Sequence, residues 1–226
     1  GIEDHPDNVA AVMVADADIV LLQESTVGTE EGFREVFAET YPHILFQECC
    51  RAGGLGLMSK HPIVEEDYLE PKGGWFPAWR VVLDTPLGTI QTLNVHLRPP
   101  MSDGGSWVSG YFSTRGVRRD EIEGFWTSMD ASMTTIVAGD FNENASGRAI
   151  AFLADKGLTS ALPQLHPNAK TWRWQTRVGK IRAQLDHVVY GRGLALQSAE
   201  VLESGRSDHF PVLVVLGAAT TPESKG

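Results

Sequence analysis

Short apolar runs, each cut off by a glycine, proline or acid, recur along this sequence too often and too briefly for a helical bundle. They fall near 18–22, 43–46, 55–59, 63–68, 78–83, 89–97, 135–138, 184–190, 196–202 and 210–216. Runs of this length with turn residues at their borders predict strands. Asp84-Thr85-Pro86-Leu87-Gly88 predicts a hairpin turn between two of them. Helical spacing is confined to residues 6–16, 29–39, 113–129 and 146–156. The second of these opens on Thr29 and two acids, which suit a helix start, and the last ends at Gly157. Hairpin-linked strands interrupted by a few helices predict an α+β fold, sheet packed on sheet with helices outside, instead of a regular β-α-β repeat.

With 226 residues, 42% of them hydrophobic, the chain can bury one sizeable core, so residues 1–226 are read as a single domain. No repeat, low-complexity tract or linker interrupts it. The net charge of -10 weighs against a long duplex-gripping face, although a divalent cation in an acidic pocket would invert the local field a phosphate meets. Cys49 and Cys50 are the only cysteines, and adjacent cysteines have poorly placed Cβ vectors, so no disulfide is expected and no chemistry is assigned to them. No apolar run reaches bilayer-spanning length, and the first residues lack a signal peptide's pattern. The expectation is a monomer without a protein partner; the compartment is not written in the sequence, the cytoplasm being the one favoured.

The chemistry-bearing residues sit where apolar runs end. Glu24 follows Ile19-Val20-Leu21-Leu22-Gln23, and a carboxylate there offers the oxygen that hard cations select. Asp140 and Asn142 follow Thr135-Ile136-Val137-Ala138-Gly139, pairing a carboxylate that can deprotonate water with an amide that can donate to a phosphoryl oxygen. Asp186 lies among apolar neighbours, where an acid costs stability, and Asp208-His209 precedes the apolar stretch 210–216. A carboxylate such as Asp186 accepting one ring N–H would fix the His209 tautomer and raise its basicity. His96, followed by Arg98, adds a second imidazole at another strand end.

Taken together, the segments DIVLLQE, GLGLMSKHPI, LNVHL, GDFN, QLDHVVY and SDHFPV resemble the successive motifs of the endonuclease/exonuclease/phosphatase family, whose fold is DNase I-like. The likeness runs from about residue 18 to 216. It implies a four-layer α/β sandwich of two packed mixed β-sheets flanked by helices, with the site at one edge. It also implies that Glu24 binds a metal, Mg2+ or alternatively Mn2+, with Asp208 assisting. Asp140 and Asn142 would position the nucleophile and stabilise the phosphoryl group, Asp186 would pair with His209, and His96 would hold the phosphate or protonate the leaving group. Family members open on a strand ending in an asparagine that nothing before Asp4 supplies, so the first strand is expected to be missing and the domain N-terminally shortened.

The expected function is divalent-metal-dependent phosphoester hydrolysis, most simply of a phosphodiester, by in-line attack of water. Two alternatives stand beside it: a DNA or RNA nuclease of the same family, and a non-catalytic binding protein with a degraded metal site. Residues 171–182 carry four basic residues and two tryptophans, which suits either phosphates and a stacked base or an exposed hairpin with core tryptophans. Trp172, Arg177, Arg98 and Arg115 are the candidate substrate contacts, with Arg118 and Arg119 either joining them or forming a solvated charged face. The aromatic loop Gly73–Arg80 is either substrate-facing or core packing. Arg182 and Ala183 stand where abasic-site endonucleases have a tryptophan, which disfavours that specificity.

Overall fold

The computed structural model describes residues 6–106, 109–110, 113–176 and 179–219. Arg177, one of the expected substrate contacts, lies outside the described residues. The chain opens with helix α1 (Pro6–Ala15), strand β1 (Ile19–Gln23), helix α2 (Val27–Phe37) and strands β2 (His43–Gln47) and β3 (Leu55–Ser59). It continues through β4 (Ile63–Leu69), β5 (Ala78–Thr85), β6 (Gly88–His96), α3 (Arg115–Trp126), β7 (Thr134–Asp140) and α4 (Arg148–Asp155). The last third holds β8 (Thr159–Ser160), α5 (Ala161–Leu165), β9 (Trp172–Thr176), β10 (Gly179–Ala183), β11 (Asp186–Tyr190), β12 (Leu194–Val201) and β13 (Val212–Ala218).

Most predicted elements lie within two residues of where apolar periodicity puts them. Helix α2 starts earlier than expected, because Thr26 and Thr29 form a reciprocal capping box and place Thr29 inside the first turn. The hairpin of β5 and β6 closes at Thr85 and Gly88, with Gly88 at φ 95°, a conformation glycine adopts without strain. The expectation for the cysteines is corrected: Cys49 and Cys50 are joined by a disulfide. The turn at Cys50, φ 18° and ψ 80°, brings together side chains that extended backbone would hold apart.

Three cores stack the layers. Phe33, Phe37 and Tyr41 pack α2 onto Leu22 and Met58 of an antiparallel sheet ordered β1-β3-β2. Leu55 and Leu57 on that sheet meet Trp79, Val81 and Leu83 of a second sheet, ordered β4-β5-β6-β7-β11-β8. Ile122, Phe125, Ile150 and Leu153 then cover the far face of the second sheet, against Leu93, Val95, Val137 and Val189. The order is helix, sheet, sheet, helix. The second sheet is mixed, because β6 and β7 run parallel while its other pairs are antiparallel. Strands β12 and β13 form a separate two-stranded sheet, and β9 with β10 a hairpin.

The charged face expected on α3 is partly interior. Arg118 is 2% exposed and Glu121 is fully buried. Arg118 pairs with Glu143 at 3.2 Å, and Glu121 Oε2 accepts the Arg98 N–H at 2.8 Å. Burial pushes the Glu121 carboxyl up to about 7 from 4.5, against the pull of the Arg98 amide and the Arg118 charge. An acid raised in the folded state costs nothing below its unfolded pKa, where both states are protonated. Its cost grows as pH climbs from about 4.5 to about 7 and stays constant above. Glu121→Gln, which retains an acceptor, should therefore stabilise the protein at pH 8 by up to roughly 3 kcal/mol and have little effect at pH 4.5. Urea unfolding at the two pH values checks this; equal effects at both would refute it.

Candidate active site

Strand register assembles the core of the site. In the parallel pairing of β6 with β7, His96 lies beside Asp140. In the antiparallel pairing of β7 with β11, Asp186 lies on the other side of Asp140. Three strand-end residues thus form a row across the second sheet. His209 joins from the segment before β13 through a bridge to Trp172. Gly139 permits the row: its φ is 138°, and a Cβ there would meet the Val95 carbonyl oxygen at 2.0 Å.

The distances describe a hydrogen-bonded acid and imidazole set. His209 Nδ1 lies 2.9 Å from both oxygens of Asp186, and its Nε2 lies 3.8 Å from Asp140 Oδ2. Asp140 is itself held, since the Asn142 backbone N–H donates to Oδ1 at 2.8 Å and the Asn142 side-chain amide to Oδ2 at 3.0 Å. That amide also donates to the Leu97 carbonyl at 3.0 Å, so Asn142 acts here as the clamp on Asp140. His96 is buried, donates from Nδ1 to the Ala52 carbonyl at 3.0 Å, stacks on Phe76 and places Nε2 3.5 Å from Asp140 Oδ2. Glu24 and Asn142 both take positive φ, 56° and 51°, conformations that non-glycine residues adopt only under local constraint.

Burial and mutual charge perturb all three groups. Burial pushes the Asp140 carboxyl up to about 7; His209 opposes the shift, while Asp186 and Glu24 add to it. Burial acts to keep His209 neutral, but the charges of Asp186 and Asp140 and the Asp186 hydrogen bond outweigh it and raise the ring to about 10. Burial lowers His96, against the nearby Glu24 charge. Glu24, His96, Asp140, Asp186, Asp208 and His209 all line one cavity of about 750 Å³.

That donor set suits a divalent cation. Four carboxylates, those of Glu24, Asp140, Asp186 and Asp208, share the cavity, and the charges of Asp186 and Glu24 add to the burial that raises the Asp140 carboxyl. Among the described residues, the donor atoms of Asp140, Asp186 and His209 lie within 4.8 Å of one another. Glu24 and Asp208, expected as the metal ligands, are outside that closest group but line the same cavity.

The expected substrate contacts divide. Trp172 is at the site: its Nε1 donates to Asp208 Oδ2 at 3.1 Å, and its ring lies nearly parallel to that of Trp174, with centroids 6.3 Å apart. Arg98 is engaged elsewhere, donating to Asp103 at 2.7 Å and to the Met101 carbonyl, with its guanidinium 3.4 Å from the Trp75 ring centre. Arg115 stands half-buried at the start of α3. In the aromatic loop, Phe76 packs on His96 and Trp79 lies in the core between the sheets. One important residue carried no sequence signal. Asn94, mid-strand in β6, donates to the carbonyls of Leu22 and Gly56 and accepts from Gln23, all at 3.0 Å or less, tying β1 and Glu24 to the second sheet.

A family profile described as the endonuclease/exonuclease/phosphatase family matches residues 3–209. The chain belongs to the endonuclease/exonuclease/phosphatase family. Its members hydrolyse phosphoester bonds. No curated protein matches the sequence. Among solved structures, a family protein from Beutenbergia cavernae shares 20% identity at a TM-score of 0.72, with 93% of this chain and 65% of that one covered. The chain thus spans less than two thirds of that protein. A D. rerio TDP2 complexed with single-strand DNA product shares 14% identity at 0.71, covering 93% and 90%. A 3' phosphatase, NExo from Neisseria, bound to a product DNA hairpin, shares 15% identity at 0.65, covering 93% and 93%. At these identities the likenesses establish the DNase I-like fold. Among the described residues no helix is long and apolar enough to cross a membrane.

Proposed function

We propose that this family member is a divalent-metal-dependent phosphodiesterase that cleaves by in-line attack of water. The observation that carries the reading is the linked set Asp186, His209, Asp140 and Asn142, in which each functional atom is aimed by a neighbour. Asp140, clamped by Asn142, takes the proton of the attacking water. His209, oriented by Asp186, directs Nε2 at a phosphoryl oxygen and stabilises the charge that builds there. His96, locked through Nδ1, serves the leaving-group side. Glu24 and Asp208 would hold Mg2+ or Mn2+, which supplies further neutralisation of phosphoryl charge when bound.

Bis-p-nitrophenyl phosphate, p-nitrophenyl phosphate, plasmid DNA and a single-stranded oligonucleotide, each tested with Mg2+, Mn2+ and EDTA, test the proposal. It expects metal-dependent turnover of the diester, abolished by EDTA. No turnover of any substrate would favour a binding protein built on the same cavity.

A nuclease reading is favoured by the Trp172 and Trp174 pair, which presents an aromatic face, Trp174 being 53% exposed, beside Asp208. Base stacking on such a side chain is worth about 1–3 kcal/mol. Under this reading Trp174→Ala should raise KM for the oligonucleotide about 5-fold to 150-fold and leave bis-p-nitrophenyl phosphate kinetics unchanged. Parallel shifts for both substrates would remove base stacking from the account.

A further inference from the structure

A turn closed by a disulfide backs two sides of the active site. Cys49 and Cys50 are bonded to each other, Cys50 exposed and Cys49 half-buried, and a single 3-10 turn, Arg51–Gly53, follows them. Apart from the disulfide, what holds that turn among the described residues is slight: no side chain caps it, and the Gly53 N–H donates to the Cys50 carbonyl at 3.2 Å. The sulfurs lie over Gly53, where a Cβ would meet Cys50 Sγ at 2.8 Å, the Phe76 ring at 3.1 Å and Cys49 Sγ at 3.4 Å. Cys50 Sγ also rests 3.7 Å from the Trp75 carbonyl oxygen. The notch left by the missing side chain is filled by two sulfurs that share a bond. Two free thiols must keep van der Waals separation and do not both fit it.

The residues that follow the disulfide touch the chemistry. The Ala52 carbonyl accepts from His96 Nδ1 at 3.0 Å, and Phe76, which borders the notch, stacks on the His96 ring with centroids 4.4 Å apart. The Gly54 carbonyl accepts the Ser25 N–H at 3.0 Å, and a Cβ on Gly54 would meet the Ser25 carbonyl oxygen at 1.9 Å. Ser25 directly follows Glu24. Residues 52–54 are therefore wedged between the histidine proposed for the leaving group and the backbone next to the proposed ligand Glu24.

We infer that Cys49 and Cys50 form a reversible thiol-modification site that controls whether His96 is held: bonded, they fix the turn that presents the Ala52 carbonyl, and reduced by a dithiol, they release it. In the first step a thiolate of the dithiol attacks the exposed Cys50 sulfur, and the electron pair of the broken S–S bond leaves on Cys49. The second thiolate of the dithiol then displaces Cys50 from the mixed disulfide. The chain ends with two thiols, having taken up two electrons and two protons, and the reductant departs as a cyclic disulfide. One sulfur must now leave the notch over Gly53, and the turn loses its closure. The His96 Nδ1–H then has no fixed acceptor, so neither the tautomer nor the direction of the ring is set.

The test follows the His96 Nδ1–H by nuclear magnetic resonance in a chain carrying isotope-labelled histidine, air-oxidised and after dithiothreitol, with no metal added. Disappearance of the signal in His96→Gln assigns it, and thiols are counted by mass after maleimide labelling. Reduction should speed solvent exchange of that proton and of the Ser25 amide by at least about tenfold, and reoxidation should reverse it. The double variant Cys49→Ser, Cys50→Ser should behave as the reduced chain and ignore dithiothreitol; where it fails to fold, the reversal in the parent chain decides. Equal exchange in both forms would overturn the inference. So would two free thiols in the air-oxidised chain, or a response to dithiothreitol in the double variant. Once the reductant is desalted away anaerobically, the reduced chain should also show kcat on bis-p-nitrophenyl phosphate about 10-fold to 100-fold lower, with KM little changed. Only this last effect rests on the proposed function: redox-dependent exchange in a chain without turnover would sink the phosphodiesterase and leave the thiol site standing.

Discussion

His209→Ala is expected to lower kcat on bis-p-nitrophenyl phosphate by about 10²- to 10⁴-fold, the usual weight of one positioned proton-handling or charge-stabilising group. The ring is held through Nδ1 by both oxygens of Asp186, so its Nε2 points at the space beside Asp140 and has no rotamer to waste. Asp186→Asn should reproduce much of the loss, because an amide no longer stabilises the imidazolium and can present N–H to Nδ1, which favours the wrong tautomer. The two substitutions share one function, so the double variant should be scarcely slower than His209→Ala alone. Truncation also removes the imidazolium that Asp186 and Asp140 share, so the urea midpoint of His209→Ala is measured beside its kcat to separate lost chemistry from lost fold. An unchanged kcat in His209→Ala, or losses that simply multiply in the double variant, would remove the pair from the mechanism.

How much of this was legible beforehand depends on whether a residue's surroundings are local in sequence. Strands such as Leu55–Ser59 and Ala78–Thr85 announce themselves, because apolar runs cut by Gly, Pro or Asp have few alternatives. The short β8 and α5 do not, since two and five residues are too few to show a period. That β12 and β13 stand apart from β1-β3-β2 is a fact of pairing between distant segments, and no periodicity records it.

The site divides the same way. Glu24, Asp140, Asp186 and His209 are visible because a polar side chain interrupting an apolar strand must be explained by something. Their mutual arrangement is then set by register: His96 beside Asp140, and Asp140 opposite Asp186. Asn94 is invisible by the same logic, because its partners are carbonyls 72 and 38 residues away and a strand amide looks like a solvent-facing one. Charge misled in α3. Arg118-Arg119-Asp120-Glu121 reads as a wet surface, yet Arg118 and Glu121 stand three apart on one helix face, and that face is the buried one.

Glu143→Ala should cost about 3–5 kcal/mol of stability, the range for removing one partner of a buried ion pair. Glu143 is 7% exposed and follows the site residue Asn142 directly. One carboxylate oxygen accepts the N–H groups of Ala149 and Ile150 at 2.7 and 3.1 Å, satisfying donors at the start of α4 that no helical partner can reach. The other receives Arg118 Nε at 3.2 Å. Truncation leaves two amides and one guanidinium buried without an acceptor, although Arg118 retains bonds from Nη1 to the Arg98 carbonyl and Thr114 Oγ1. Glu143→Gln keeps an oxygen for the amides and should cost less. Adding Arg118→Met to Glu143→Ala removes the orphaned charge and should recover part of the loss, giving a favourable coupling that urea unfolding can measure. A Glu143→Ala protein within about 1 kcal/mol of the parent would mean that water reaches these groups, and the pair would then count as a surface one.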